Sequence, residues 1–208
     1  MPTHSTEAYT SANKQKYSRN SRIAQWHLNS VMEAIYQLLA ETEGTSILDA
    51  GCGEGFLTDY LARRDSSLRL TGVDMSSEAI AYAEDMFGER VRFRMGNVYK
   101  LPFSDNSFDV VLCSEVLEHL DDPDLATREL TRVARRHVII TVPNEPYFRW
   151  LNDLARALGI CMDPGHINFW TKSTFETFIR SHFDNPVFSR KHMIYQLVLA
   201  RKRFVAAI

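Results

Sequence analysis

Cysteine is scarce in this chain and poorly spaced for structural chemistry. The 208 residues include only three, Cys52, Cys113 and Cys161. An odd number without metal-like spacing argues against a disulfide framework and against a metal site built on these thiols. Cys52 and Cys113 lie beside apolar runs, where a thiol behaves as a small buried hydrophobe. Long apolar runs are missing too. No stretch approaches ~18 residues, so no transmembrane helix is expected. The polar residues 1–7 do not read as a secretory leader, and a reducing, cytoplasmic setting is the expectation. Charge of one sign is also lacking, because 24 Lys and Arg against 26 Asp and Glu leave a net charge of −2. That balance argues against a broad basic surface, so nucleic acid is disfavoured as a partner and anionic membrane would need a local patch. Repeats and low-complexity linkers are absent. One domain is expected over residues 22–208, preceded by a polar, aperiodic arm over 1–21 whose large apolar anchors are Tyr9 and Tyr17.

What is present centres on Ile47-Leu48-Asp49-Ala50-Gly51-Cys52-Gly53-Glu54-Gly55-Phe56-Leu57. It reads as a short apolar strand, a glycine turn and the start of a helix whose inner face is Phe56, Leu57, Tyr60 and Leu61. Glycines let a ligand approach the backbone closely, and the helix aims free N–H groups at the same spot, which suits a carboxylate or phosphate. The dinucleotide fingerprint wants a third small residue where this chain has Phe56, which argues against NAD. A second apolar run, Leu68 to Val73, ends at Asp74, 23 positions after Gly51. An acidic group at that place and distance suits a ribose diol, because a carboxylate accepts from both hydroxyls.

Strand-like and helix-like segments then alternate. A helix is expected over 22–41, with Ile23, Trp26, His27, Ser30, Val31, Ala34, Ile35 and Leu38 at helical spacing. A helix over 77–87 should bury Ile80, Ala83 and Phe87 and close on Gly88 as a left-handed residue. Strands are expected at 91–95, 108–113 and 137–142, the second being apolar throughout, as in a strand buried on both faces. Asp122-Pro123 caps a helix that turns Leu125, Leu130 and Val133 inward. After Pro143 come a helix over 147–158, a loop over 159–170, a helix opened by the capping box Ser173-Thr174-Phe175-Glu176, and two apolar runs, 187–189 and 194–200, that read as a closing strand pair. The alternation predicts an α/β fold with a parallel, doubly wound sheet.

The ordered segments Leu48–Gly55, Gly72-Val73-Asp74-Met75-Ser76, Gly96–Phe103, Ser107–Val111 and Glu115-Val116-Leu117-Glu118-His119-Leu120 make the chain resemble the class I S-adenosylmethionine-dependent methyltransferases, in particular methyltransferase type 11/12-like domains. The resemblance runs from about Ile47 to Pro143. It implies a Rossmann-like seven-stranded sheet whose last strand is antiparallel, S-adenosyl-L-methionine as cofactor, and a set of roles. Asp49 orients the turn and reaches the methionine ammonium through water. Gly51 and Gly53 admit the cofactor, Asp74 takes the ribose hydroxyls and Met75 lies along the adenine. Asn97, where many relatives carry Asp, and Val98 meet the adenine edge, and Ser114 lies at another strand end. The arm over 1–21 would be a lid or a plain tail.

Methyl transfer from a sulfonium requires alignment of the acceptor and, for a hydroxyl, removal of a proton. His119 and His166 are the general-base candidates, since neutral imidazole is available near pH 7. Glu115, Glu118 and His119 lie at i, i+3 and i+4 and would share a helix face. Together with His166 they resemble the metal site of small-RNA 3′-terminal 2′-O-methyltransferases, which would polarise a diol through a divalent cation. Lipid-quinone O-methyltransferases carry a comparable acidic-His segment. Tyr147, Phe148, Trp150, Phe169 and Trp170 are expected to cover the acceptor pocket. A small-molecule O-methyltransferase is the preferred reading. A metal-assisted RNA methyltransferase and a non-catalytic cofactor-binding subunit are the alternatives. Acceptor identity and oligomeric state are not set by the sequence.

Overall fold

The computed structural model describes residues 22–150, 153, 165–189 and 192–203. The arm over 1–21, Cys161 and most of the expected helix over 147–158 lie outside them. Helix α1 spans Arg22–Ala40. It leads into strand β1 (Ser46–Ala50), helix α2 (Phe56–Arg64), strand β2 (Arg69–Asp74), helix α3 (Ser77–Phe87) and strand β3 (Arg92–Met95). Strand β4 (Phe108–Ser114), helix α4 (Pro123–Val133) and strand β5 (Ala134–Pro143) follow. Helix α5 (Lys172–His182) and strands β6 (Asp184–Ser189) and β7 (Tyr195–Arg201) end the described fold.

The seven strands form one sheet in the order β3-β2-β1-β4-β5-β7-β6. Pairings from β3 across to β5 are parallel, and β7 runs antiparallel to both β5 and β6. Successive strand residues face opposite sides of the sheet, and both sides are covered. Leu48, Val111, Cys113, Val138 and Ile140 pack with Ala126, Leu130 and Val133 of α4 and with Phe175 and Ile179 of α5. Ile47, Val110, Leu112 and Ile139 pack with Ile35 and Leu39 of α1, Leu61 of α2 and Ile80 of α3. Such fully buried side chains each contribute about 1.5–3 kcal/mol. Chain order reverses between β1 and β4, so the crevice outside their carboxyl ends is where an open α/β sheet binds ligands.

Four local expectations are corrected. Gly88 caps α3 with φ −61°, in the right-handed region. What requires a small residue there is crowding, since a Cβ would stand 2.5 Å from the Glu84 carbonyl oxygen. Leu125 is on the exposed side of α4, whose buried stripe is Ala126, Leu130 and Val133. Helix α5 is capped by Thr171, whose hydroxyl takes the Thr174 N–H at 3.2 Å; Ser173 therefore lies inside the first turn, and the Phe175 N–H that a cap there could use donates to the Thr171 carbonyl at 2.9 Å. In α2, the buried face is Leu57, Thr58, Asp59 and Leu61, and Phe56 and Tyr60 are half-buried against it. The Asp122 cap is as expected, accepting from Leu125 N–H at 2.8 Å.

Candidate active site at the carboxyl edge of the sheet

The glycine turn is held from two sides. Gly51 has φ 82°, and its N–H and that of Cys52 both donate to the Val73 carbonyl, at 2.7 and 3.0 Å. A Cβ on Gly51 would run into Val116. Gly53 N–H donates to Asp74 Oδ2 at 2.9 Å, and Ser76 N–H donates to Asp74 Oδ1 at 2.9 Å. The Asp74 carboxylate thereby bridges the turns after β1 and β2. Each oxygen keeps a further lone pair for a ligand hydroxyl.

Asp49 lies one residue inside the end of β1 and is 1% exposed. Thr58 Oγ1 donates to Asp49 Oδ2 at 2.6 Å. Burial pushes the Asp49 carboxyl up to about 6; the Thr58 hydrogen bond opposes this and the nearby Asp74 charge adds to it. A buried carboxylate beside a ligand-accessible turn is poised for a cationic partner, since a countercharge offsets the cost of burying it. The methionine ammonium of the expected cofactor fits that requirement. Thr58 was not singled out from the sequence, although a polar residue on the inner face of a predicted helix is the signal that marks it.

The remaining cofactor candidates share the same edge. Met75 is 67% exposed just past β2, whereas Val98 is buried in the core. Asn97 is exposed, and its Oδ1 already accepts from Tyr99 N–H at 2.9 Å. An adenine amine could still donate to the remaining lone pair. Ser114 Oγ and Thr141 Oγ1 share a hydrogen bond of 2.8 Å across β4 and β5.

The acidic-His segment differs from expectation. Glu115 takes φ 56°, and only Leu117–His119 form a short 3₁₀ turn. The expected common helix face for Glu115, Glu118 and His119 is lost, because the left-handed residue breaks the periodicity before the turn starts. Glu118 points fully inward at 0% exposure, and His119 stays half-buried at the surface. Val116 packs over Gly51, which sets this turn against the glycine turn.

The structure does bring the two candidate imidazoles together. The rings of His119 and His166 lie 4.9 Å apart at 70°. His119 Nδ1 lies 3.3 Å from the Gly165 carbonyl oxygen, and Phe148 lies 5.1 Å from the His166 ring. One ligand atom from each of Glu118, His119 and His166 falls within 4.8 Å of the others. Glu115, the fourth member of the sequence pattern, is outside that group. The aromatic cluster divides. Phe148 reaches His166, Trp170 packs against Phe175 and Phe178, and Tyr147, Trp150 and Phe169 are exposed.

A doubly wound sheet carrying a glycine turn, a buried acid and a bridging acid at its switch point defines a binder of nucleotide-type cofactors. Residues 48–142 match the family described as "Methyltransferase domain". The chain is 37% identical over 119 residues to a "Probable S-adenosylmethionine-dependent methyltransferase" of Mycolicibacterium smegmatis, covering 56% of this chain and 45% of the relative. It is 38% identical over 120 residues to the ubiquinone biosynthesis O-methyltransferase of Alkalilimnicola ehrlichii, covering 54% and 47%. The chain spans about half the length of the curated relatives it matches. In fold it resembles the magnesium protoporphyrin IX methyltransferase of Synechocystis with bound SAH, with TM-score 0.69, 17% identity, and coverage of 96% and 95%. Over residues 48–142 the chain is thus similar to S-adenosylmethionine-dependent methyltransferases, and its sheet has the fold of solved methyltransferases with bound SAM or SAH. Among the described residues no helix is long and apolar enough to cross a membrane.

Proposed function

We propose that the chain methylates an oxygen of a small-molecule acceptor. The observation that carries this reading is the pair of imidazoles, His119 and His166, 4.9 Å apart beside a turn fitted to the cofactor. Bound S-adenosylmethionine supplies an electrophilic methyl group: the acceptor oxygen forms a C–O bond as the C–S bond breaks, and the electron pair stays on sulfur. Asp49 holds the ammonium, with Thr58 fixing its carboxylate. Asp74 accepts from the ribose hydroxyls while keeping the glycine turn open. Met75, Asn97 and Val98 border the adenine, and Ser114 lies at the end of β4 between the two halves of the site. One imidazole takes the acceptor's hydroxyl proton. Replacing His166 with Ala should lower turnover by ~10²–10⁴-fold, the usual worth of general acid–base catalysis, without weakening S-adenosylhomocysteine binding. An unchanged turnover contradicts the reading.

The Glu118, His119 and His166 group favours a second reading. A buried carboxylate beside two imidazoles is a donor set for a divalent cation. Those three residues would hold it, and it would lower the pKa of the acceptor hydroxyl. This reading matches the alternative of an RNA 3′-terminal 2′-O-methyltransferase. Dialysis against a chelator separates the two. Activity that disappears and returns with Mg²⁺ or Mn²⁺ makes the histidines ligands; activity that persists makes them bases.

A further inference from the structure

We propose that Asn168 is the positioning residue that sets His166 against His119. The inference rests on the reading of those two histidines as the acceptor-side machinery. The segment 165–170 has no regular structure of its own, and the side chains on either side of Asn168, Ile167 and Phe169, are each 50% exposed. Beyond the packing of Trp170 on Phe175 and Phe178, burial does little to fix the register around Asn168. Hydrogen bonds do so instead. Ile167 N–H and Asn168 N–H both donate to the Glu118 carbonyl, at 2.9 Å each. The Asn168 side-chain amide donates to the Leu117 carbonyl at 3.0 Å and to the Leu120 carbonyl at 2.6 Å. One amide group thus clasps both ends of the 3₁₀ turn that carries His119. Of the turn's own bonds, His119 N–H to the Val116 carbonyl is 3.0 Å, but the last, Leu120 N–H to the Leu117 carbonyl, is long at 3.4 Å, and the clasp reinforces that end. His166 is two residues from the clasp and His119 lies inside it. The side-chain orientation is fixed by chemistry: exchanging the amide oxygen and nitrogen would set an acceptor against two acceptors.

Asp has nearly the same shape as Asn but cannot donate. Asn168→Asp therefore keeps the packing and removes the clasp, and Asn168→Ala removes both. The assay is the initial rate of label transfer from S-adenosylmethionine with a deuterated methyl group into cell-extract acceptors, with the cofactor varied. Both variants should lose ~10–100-fold in maximal rate, the scale of an ångström-sized misplacement of reacting groups. The KM for the cofactor and the calorimetric affinity for S-adenosylhomocysteine should stay within about twofold, since the clasp lies outside the glycine turn. In ¹⁵N spectra of Asn168→Ala, the imidazole signals of His119 and His166 should move while the Gly51 and Gly53 amides stay. Wild-type rate in Asn168→Asp overturns the inference, as does loss of S-adenosylhomocysteine binding in both variants, which would make Asn168 a folding residue. If His166→Ala is fully active, the reading of the histidines fails first. If His166→Ala is impaired and Asn168→Asp is not, only the role of Asn168 fails.

Discussion

Lowering the pH from 7 to 5 should weaken cofactor binding through a single group, Asp49. Burial raises its carboxyl from the ordinary 3.8 to about 6, a change worth about 3 kcal/mol at ~1.36 kcal/mol per unit. In the cofactor-free protein the protonated acid is the better-tolerated form. Its contribution to folding stability is therefore fully present below 3.8 and is lost as the pH rises through about 6. On the proposed role of Asp49 the cofactor reverses the preference, because its ammonium group would favour the carboxylate. Below about 6 binding must expel a proton, and the apparent Kd should rise by up to ~10-fold per pH unit. Titration calorimetry with S-adenosylhomocysteine between pH 5 and 8, in two buffers of different ionisation enthalpy, counts that proton directly. Asp49→Asn should bind weakly at every pH and show no slope between 5 and 7. It should also remove the decline in cofactor-free stability as the pH rises through this window. Affinity independent of pH from 5 to 7, or a slope that survives in Asp49→Asn, refutes the reasoning.

Other residues of the site give sharper single-point tests. Asp74→Ala removes the bridge between Gly53 N–H and Ser76 N–H and should cost about 1–3 kcal/mol in S-adenosylhomocysteine affinity, the scale of leaving such partners unmet, as read by calorimetry. Gly51→Ala forces a Cβ into Val116 at a positive φ, a strain of roughly 1–3 kcal/mol; thermal unfolding should show the loss, and Gly51→Ala/Val116→Ala should recover part of it. Thr58→Val removes the hydroxyl that opposes the rise at Asp49, so the midpoint of the pH dependence of binding should move upward. Leu48→Ala, at a fully buried position of β1, should lower unfolding stability by about 2–5 kcal/mol in denaturant titrations.

The strands and the glycine turn were legible because local rules and burial agree there. Val110 to Cys113 is apolar throughout, and it is the centre of a strand covered on both faces. The spacing from Gly51 to Asp74 held because β1 and β2 pair directly, with Ala50 opposite Val73. Legibility failed where a tertiary contact or one dihedral angle decides. The i, i+3, i+4 spacing of Glu115, Glu118 and His119 suggested a helix face, but a left-handed φ at Glu115 turns Glu118 inward. Helix α5 starts two residues before the Ser173 pattern suggested, because Thr171 takes the Thr174 amide as its cap. His119 and His166 were grouped only through the resemblance, since the loop-to-turn bonds of Asn168 that tie their segments together leave no periodic trace in the sequence. Thr58 carried a signal, a polar residue on an inward helix face, but its partner, the Asp49 oxygen, is set by tertiary packing.

The central claim is that the carboxyl edge of this sheet transfers a methyl group from S-adenosylmethionine to a hydroxyl of a small molecule. The most direct measurement incubates wild-type protein and His166→Ala with S-adenosylmethionine bearing a deuterated methyl group and a small-molecule extract of cells. Untargeted mass spectrometry then follows the label. The account predicts a labelled small-molecule product carrying the methyl on oxygen, abundant with wild type and strongly reduced with His166→Ala. Label absent from every small molecule, or present equally with both proteins, would contradict it.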